Sequence, residues 1–141
     1  MGSHPGPSAS PSHVLVVRVG SRRLALPVTD LRRIVRDLQV FPLPGAEPRF
    51  AGLAQLGGEP LPVMDLGVVV GEAERSVVPN RLAVVVGLAG SSGERLLGLA
   101  VDEVIALEAT AGNEEAGEGS RVRIGDEELE LFDPRELHRD R

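Results

Sequence analysis

The side chains able to act as acid, base, nucleophile or metal ligand are few in this sequence and poorly placed for that work. Its histidines, His4, His13 and His138, lie in or beside the chain ends. A general base or metal ligand needs a supporting shell that fixes its tautomer and orientation, and an end segment does not supply one. Glu114, Glu115 and Glu118 cluster in one stretch, but without the carboxylate and carbonyl spacing of a calcium loop, so the stretch reads as solvated. The glycine-rich piece from Gly87 to Gly93 is followed by neither Lys-Ser/Thr nor a helix start, so it is no phosphate cradle. Ser91 and Ser92 have no base near them in sequence. No cysteine is present, which excludes a disulfide framework and a thiolate metal site. Asp65 and Asp102 each follow an apolar run; both fit carboxylates that satisfy backbone N–H groups better than buried catalytic ones. The chain reads as not an enzyme, with no catalytic residues, no cofactor and no metal.

Composition sets matching limits. At 141 residues the chain is one domain, or two small subdomains sharing a core, and buries about two-thirds of its unfolded surface. Hydrophobic residues make up 42% but aromatics only 2%, so Val, Leu, Ile and Ala must build the core, which favours short β-branched strands. The net charge is −6 and all 15 basic residues are arginine. An acidic chain with neither a basic cluster nor an aromatic platform is a poor nucleic-acid binder. No apolar run approaches the roughly 20 residues of a membrane span, and no signal peptide is visible at the start. The expectation is a cytoplasmic protein.

The elements that would position any site are organised around Gly52 to Leu66. Two apolar runs flank Gly57-Gly58, the signature of a hairpin whose tight turn needs positive φ. Leu61, Val63 and Asp65 share one side of the pleat. Pro60 and Pro62 cannot donate to a ladder, so the second arm should lie on a sheet edge or have that side free. Asp65 then stands as the N-cap of a short helix, Leu66 to Val70, closed by Gly71. Before this, Val14 to Val19 and Arg22 to Leu26 are strands joined at Gly20-Ser21, and Pro27 ends the second. Leu31, Ile34, Val35 and Leu38 recur at i, i+3, i+4 and i+7, which predicts an amphipathic helix capped by Thr29 or Asp30. Phe41 to Gly45 is an extended proline-rich linker.

Beyond the central hairpin, Gly71 to Asn80 is a polar connector. Arg81 to Leu88 and Glu94 to Val101 pair across a Gly-Ser-Ser-Gly loop, Asp102-Glu103 interrupts, and Val104 to Leu107 resumes as a short strand. Ala109 to Ser120 is a solvated acidic loop. Arg121 to Ile124 and Glu127 to Phe132 form a last hairpin, and Asp133-Pro134-Arg135-Glu136 opens a capped terminal turn. Unstructured tails over residues 1–13 and 139–141 flank one domain over residues 14–138. About nine short strands at this spacing indicate antiparallel barrels.

The central stretch resembles the CheW-like domains of bacterial chemotaxis, whose motif runs Gly-hydrophobic-x-Asn-Leu-Arg-Gly-x-hydrophobic-hydrophobic-Pro-hydrophobic-hydrophobic-Asp-Leu. Gly52, Leu56, Gly58, Pro62, Asp65 and Leu66 fall on it. Arg22 to Ile34, Leu96 to Val104 and Leu131 to Leu137 resemble further family segments in the right order. The resemblance implies a mainly β fold of two SH3-like five-stranded β-barrel subdomains with a few short helices. It also implies a non-catalytic adaptor coupling chemoreceptor cytoplasmic tips to the regulatory domain of a CheA-type histidine kinase. On this pattern the receptor-binding groove draws on Leu31, Ile34, Gly52, Gln55 and Gly57, and the kinase contact on Leu43 and Pro44. Two positions depart from the family: Gly57 stands where Arg is usual, and Arg33 where Glu is usual. The alternatives are a divergent scaffold that has lost standard receptor or kinase binding, and a small-ligand-binding β-barrel, which would need a deep cavity with converging polar groups.

Overall fold

Short apolar runs separated by two-residue turns become ten β-strands in the computed structural model of the chain. The structure describes residues 12–72, 80–110, 121–135 and 137. The two tails beyond these limits, most of the connector before Asn80, the acidic loop from 111 to 120, and Glu136 lie outside the described residues, as do His4 and His138. The strands are β1 (His13–Val19), β2 (Arg22–Pro27), β3 (Leu31–Gln39), β4 (Phe50–Leu56), β5 (Glu59–Asp65), β6 (Asn80–Gly90), β7 (Gly93–Val101), β8 (Glu103–Ala109), β9 (Arg121–Ile124) and β10 (Glu127–Leu131), with the short helix α1 (Leu66–Val69) after β5. They form two five-stranded sheets, ordered β8-β1-β2-β10-β9 and β3-β6-β7-β5-β4. The chain divides into two compact units. The first comprises residues up to Val17, Arg23–Thr29 and Ile105 onward; the second comprises Arg18–Arg22 and Asp30–Val104.

Both sheets repeat one topology. In each, the second strand of one hairpin runs parallel to the second strand of another: β2 beside β10, and β7 beside β5. Each of β5 and β10 leads straight into an aspartate-capped turn. Asp65 accepts from the Val68 N–H at 3.3 Å, and Asp133 from the Arg135 N–H at 3.0 Å. The paired hairpins appear in opposite chain order in the two sheets.

Each unit has its own aliphatic core, as a chain this poor in aromatics requires. The first packs Val14, Val16, Ala25, Val122 and Leu129. The second packs Leu38, Val40, Ala54, Leu61, Val63, Ala83, Val85 and Ala100. Truncating a fully buried leucine such as Leu61 removes about 2–5 kcal/mol.

The helix expected over Leu31 to Leu38 is not formed. A single 3-10 turn, Val28–Asp30, leads into β3. The reason lies in its pairing with β6, whose register shifts twice, between Leu31 and Arg33 and between Val35 and Leu38. Each shift sets an extra residue against β6, and Asp37 takes φ 54°, a left-handed conformation common in bulges. The two surplus residues bring Leu31 and Ile34 to one face, opposite Val86 and Val84, and Val35 and Leu38 to the other, opposite Ala83 and Arg81, so same-face residues recur three apart and imitate the spacing of a helix. Ile34, opposite Val84, alternates away from Val35 and is 40% exposed.

The proline-bearing strand is also not a full edge strand. β5 lies between β7 and β4. Its parallel pairing with β7 starts only at Val63, so Pro60 and Pro62 precede that ladder and donate nothing to it. The turn before β5 has φ 60° at Gly57 and 85° at Gly58, the two positive values of a primed hairpin turn.

Asp65 does more than cap α1. Its Oδ2 accepts from Arg81 Nη2 at 3.3 Å, with side-chain exposures of only 6% and 9%. Breaking a buried pair on one side strands a charge and costs about 3–5 kcal/mol. Arg81→Leu should therefore lower the urea midpoint by a matching amount at constant m-value, and adding Asp65→Asn should recover part of the loss. A double variant no more stable than the single one would show that the pair is not the source.

Candidate functional site

The residues expected at a receptor groove fall into two groups within the second unit. Leu31 is half-buried and Ile34 exposed on β3. Gln55 is exposed on β4, opposite Pro60, and Gly57 lies in the exposed turn beyond it. Strands β6, β7 and β5 intervene between β3 and β4 in the sheet order, so the sheet does not pair these groups side by side. The two edges are joined by backbone bonds just after β3 ends, where Phe41 bridges to Leu53. The Phe41 N–H donates to the Leu53 carbonyl at 2.8 Å, and the Leu53 N–H returns a bond to the Phe41 carbonyl at 3.0 Å.

Gly52 belongs to that junction rather than to an open groove. It is buried, has φ 145°, and a Cβ built on it would stand 2.2 Å from the Phe41 oxygen and 2.9 Å from Pro42 Cα. Only glycine lets the two backbones come so close. The linker that follows holds Leu43, half-buried, and Pro44, exposed. The structure thus sets Gly52 beside the start of the Leu43-Pro44 segment, not beside Leu31 and Ile34.

Charge on the β3 edge is uneven. Arg32 forks onto Glu94, at 2.8 Å from Nη2 and 3.1 Å from Nε. This bond holds the Glu94 carboxyl below its ordinary pKa and raises that of the guanidinium. Arg33 and Arg36 are exposed on either side of Ile34 and have no carboxylate partner among the described residues. An exposed apolar side chain on a strand that also exposes Arg33 and Arg36 can dock an amphipathic surface that carries acidic residues.

The supporting carboxylates behave as expected from their positions. Asp102 accepts from the Gly20 N–H at 2.7 Å, and Glu72 accepts from both the N–H and the hydroxyl of Ser21. The tip of the β1–β2 hairpin is fixed by these bonds. Among the described residues no group of three or more His, Cys, Asp or Glu side chains could hold a metal, and no helix is long and apolar enough to cross a membrane. The sequence reading missed two kinds of residue. Arg81 opens a strand and gives no sign of burial. Phe41, Leu96, Ile105 and Leu107 are large exposed apolar residues, and on strands such as β7 and β8 apolar residues occupy both faces.

Because Gly57 has φ 60° with nothing within 4 Å of a built Cβ, a side chain there meets no neighbour and pays only the backbone cost of the left-handed region, about 1–2 kcal/mol. Gly57→Asn should be nearly neutral in thermal unfolding, since Asn tolerates this region, and Gly57→Arg should lower stability by about 1–2 kcal/mol. A larger loss for Gly57→Arg would mean that the turn changes type.

Gly52→Ala should be the more severe change of the two glycine positions, losing at least about 1–3 kcal/mol from backbone strain alone and opening the Phe41 junction. Retained protection of the Phe41 and Leu53 amides in hydrogen exchange would contradict this.

Comparisons with known proteins agree with this architecture. No curated protein sequence matches the chain. Among solved structures, it is similar to the scaffolding protein TtCheW from Thermoanaerobacter tengcongensis, with a TM-score of 0.67 at 19% identity, over 86% of this chain and 88% of that one. The sequence profile of the CheW-like domain matches residues 13–114, and by that match the chain belongs to the CheW-like domain family.

Proposed function

We propose that this protein is a non-catalytic adaptor of a cytoplasmic chemosensory pathway, coupling the helical tip of a chemoreceptor to a CheA-type histidine kinase. The observation that carries the reading is the family match over residues 13–114. A scaffolding role in general follows from the family; the identity of the two partners is the proposal. The exposed Ile34 edge of β3 supports it, because it offers an apolar contact with charge on both sides and no chemistry of its own. Leu43-Pro44, held by the Gly52–Phe41 junction, is the surface assigned to the kinase. Gln55 and Gly57, on the β4–β5 hairpin at the other edge of the sheet, form a separate part of the proposed receptor contact.

One observation favours a second reading, a scaffold that has lost standard receptor contact. The exposed cations Arg33 and Arg36 and the side-chain-free Gly57 differ from the charge pattern the family uses, and a missing hydrogen-bonded charge at an interface costs about 2–5 kcal/mol. A receptor tip with acidic residues facing Arg33 compensates such a change.

The test is co-elution on gel filtration with the regulatory domain of the organism's own CheA-type kinases and, separately, with receptor-tip fragments. The coupling role predicts a complex with each. Failure with both removes it, and failure with the receptor alone selects the second reading. Within a receptor complex, Ile34→Asp should weaken binding about tenfold or more, equivalent to about 1.4 kcal/mol, with an unchanged melting temperature. Unchanged binding would take Ile34 out of the interface.

A further inference from the structure

Arg32 is the surplus residue of the first β3 bulge. Leu31 pairs with Val86 and Arg33 with Val85, so no residue of β6 stands opposite it. Its side chain instead reaches Glu94 on β7, the strand beyond β6. Glu94 pairs with Ala89, and Gly87 pairs with Leu96, so the carboxylate runs diagonally over the sheet to lie above Gly87. A Cβ built on Gly87 would stand 2.5 Å from Glu94 Cδ and 2.6 and 2.7 Å from its two oxygens. Gly87 has no positive φ, so no turn requires a glycine there. The missing side chain makes room for the carboxylate.

Bulge, glycine and carboxylate form one arrangement, and it divides the arginines of β3. All three nitrogens of the Arg32 guanidinium hold acceptors within the chain. Nε and Nη2 donate to Glu94, and Nη1 donates to the Leu31 carbonyl at 3.2 Å. No fork is left on it for a second carboxylate, which would also meet the Glu94 charge. Arg33 and Arg36 are exposed on the same strand and have no carboxylate partner among the described residues. The Arg32–Glu94 pair contributes little to stability, because its side chains are 38% and 45% exposed. That exposure also leaves it within reach of an approaching partner.

We propose that Glu94, seated over Gly87, is a specificity-determining residue of the β3 surface. It occupies Arg32 in place of a partner's carboxylate, so an acidic partner must set its own carboxylates against Arg33 and Arg36. The inference rests on the reading of the Ile34 edge as the receptor contact. Specificity needs a feature that rejects the wrong arrangement as well as one that attracts the right one. Arg33 and Arg36 attract, and the Glu94 charge rejects an acidic residue placed at Arg32. Gly87 acts through Glu94 and is a positioning residue.

The test is the rate at which p-hydroxyphenylglyoxal, an arginine-selective reagent, modifies each guanidinium, followed site by site by peptide mass spectrometry. Gly87→Ala displaces the carboxylate with both charges kept, and Glu94→Gln removes its charge. Each should speed the modification of Arg32 about two- to fivefold, the protection an exposed pair gives, with Arg33 and Arg36 unchanged and the circular dichroism spectrum retained. An excess of receptor-tip fragment should slow Arg33 and Arg36 of the wild-type protein and leave Arg32 as it was. An Arg32 rate that neither variant changes, or a wild-type Arg32 slowed by the fragment as strongly as Arg33, would overturn the proposal. Failure of the receptor reading looks different: the fragment then slows none of the three arginines. In that case the partner assignment falls, while faster modification of Arg32 in both variants upholds Glu94 as its occupant.

Discussion

The second sheet depends on one close approach. The Phe41 carbonyl lies where a side chain at position 52 would be, and the two bonds between Phe41 and Leu53 join the strand after β3 to the far edge of its own sheet. A core made of Val, Leu and Ala has little bulk with which to fill a wide space. Drawing the sheet's two ends together keeps that space narrow enough for Ala54, Ala83 and Ala100 to fill. The glycine is thus an architectural residue, and the exposed Phe41 ring is a result of where the backbone must go. The neighbouring linker inherits its position from the same contact.

Electrostatics has a smaller and more local part. Arg18, Arg23, Arg32, Arg49, Arg121 and Arg135 are held by nearby carboxylates on the surface, Arg32 by Glu94 and Arg18 by Glu103 among them. Such exposed pairs contribute little to stability. The Asp65–Arg81 pair is different, because it is buried and because its carboxylate also caps α1. It ties the end of β5, the start of β6 and the helix between them into one arrangement. Arg33 and Arg36, which have no carboxylate partner among the described residues, stand out on the Ile34 strand against this background.

Much of the fold was legible because its hairpins rest on two-residue turns, and a Gly-Gly or Gly-Ser pair between apolar runs rarely serves any purpose but a turn. The aspartate caps were legible for the same reason: a carboxylate at a fixed offset from a short helix has one common use. The error at β3 came from a real ambiguity. Two bulges insert residues that no composition marks, and the hydrophobic spacing that results imitates a helical face. The site was read less well than the fold. Gly52 matched the motif, yet its role is to admit a backbone, while Ile34 is exposed on a strand rather than on the expected helix. Exposed apolar residues such as Leu107 were invisible, since alternation cannot be seen where both faces of most strands are aliphatic.

The division of the chain between its units also bears on how it is made. Residues 30–104 belong without interruption to the second unit, whereas the first draws on both ends of the sequence. A polypeptide emerging from the ribosome therefore holds every strand of the second sheet well before β9 and β10 exist. Until then β2 lacks the neighbour at its parallel side, and the opening hairpin must wait with that edge bare. Shielding of the N-terminal strands during synthesis, rather than the final stability of either sheet, becomes the step at which a nascent copy is most exposed to misassembly.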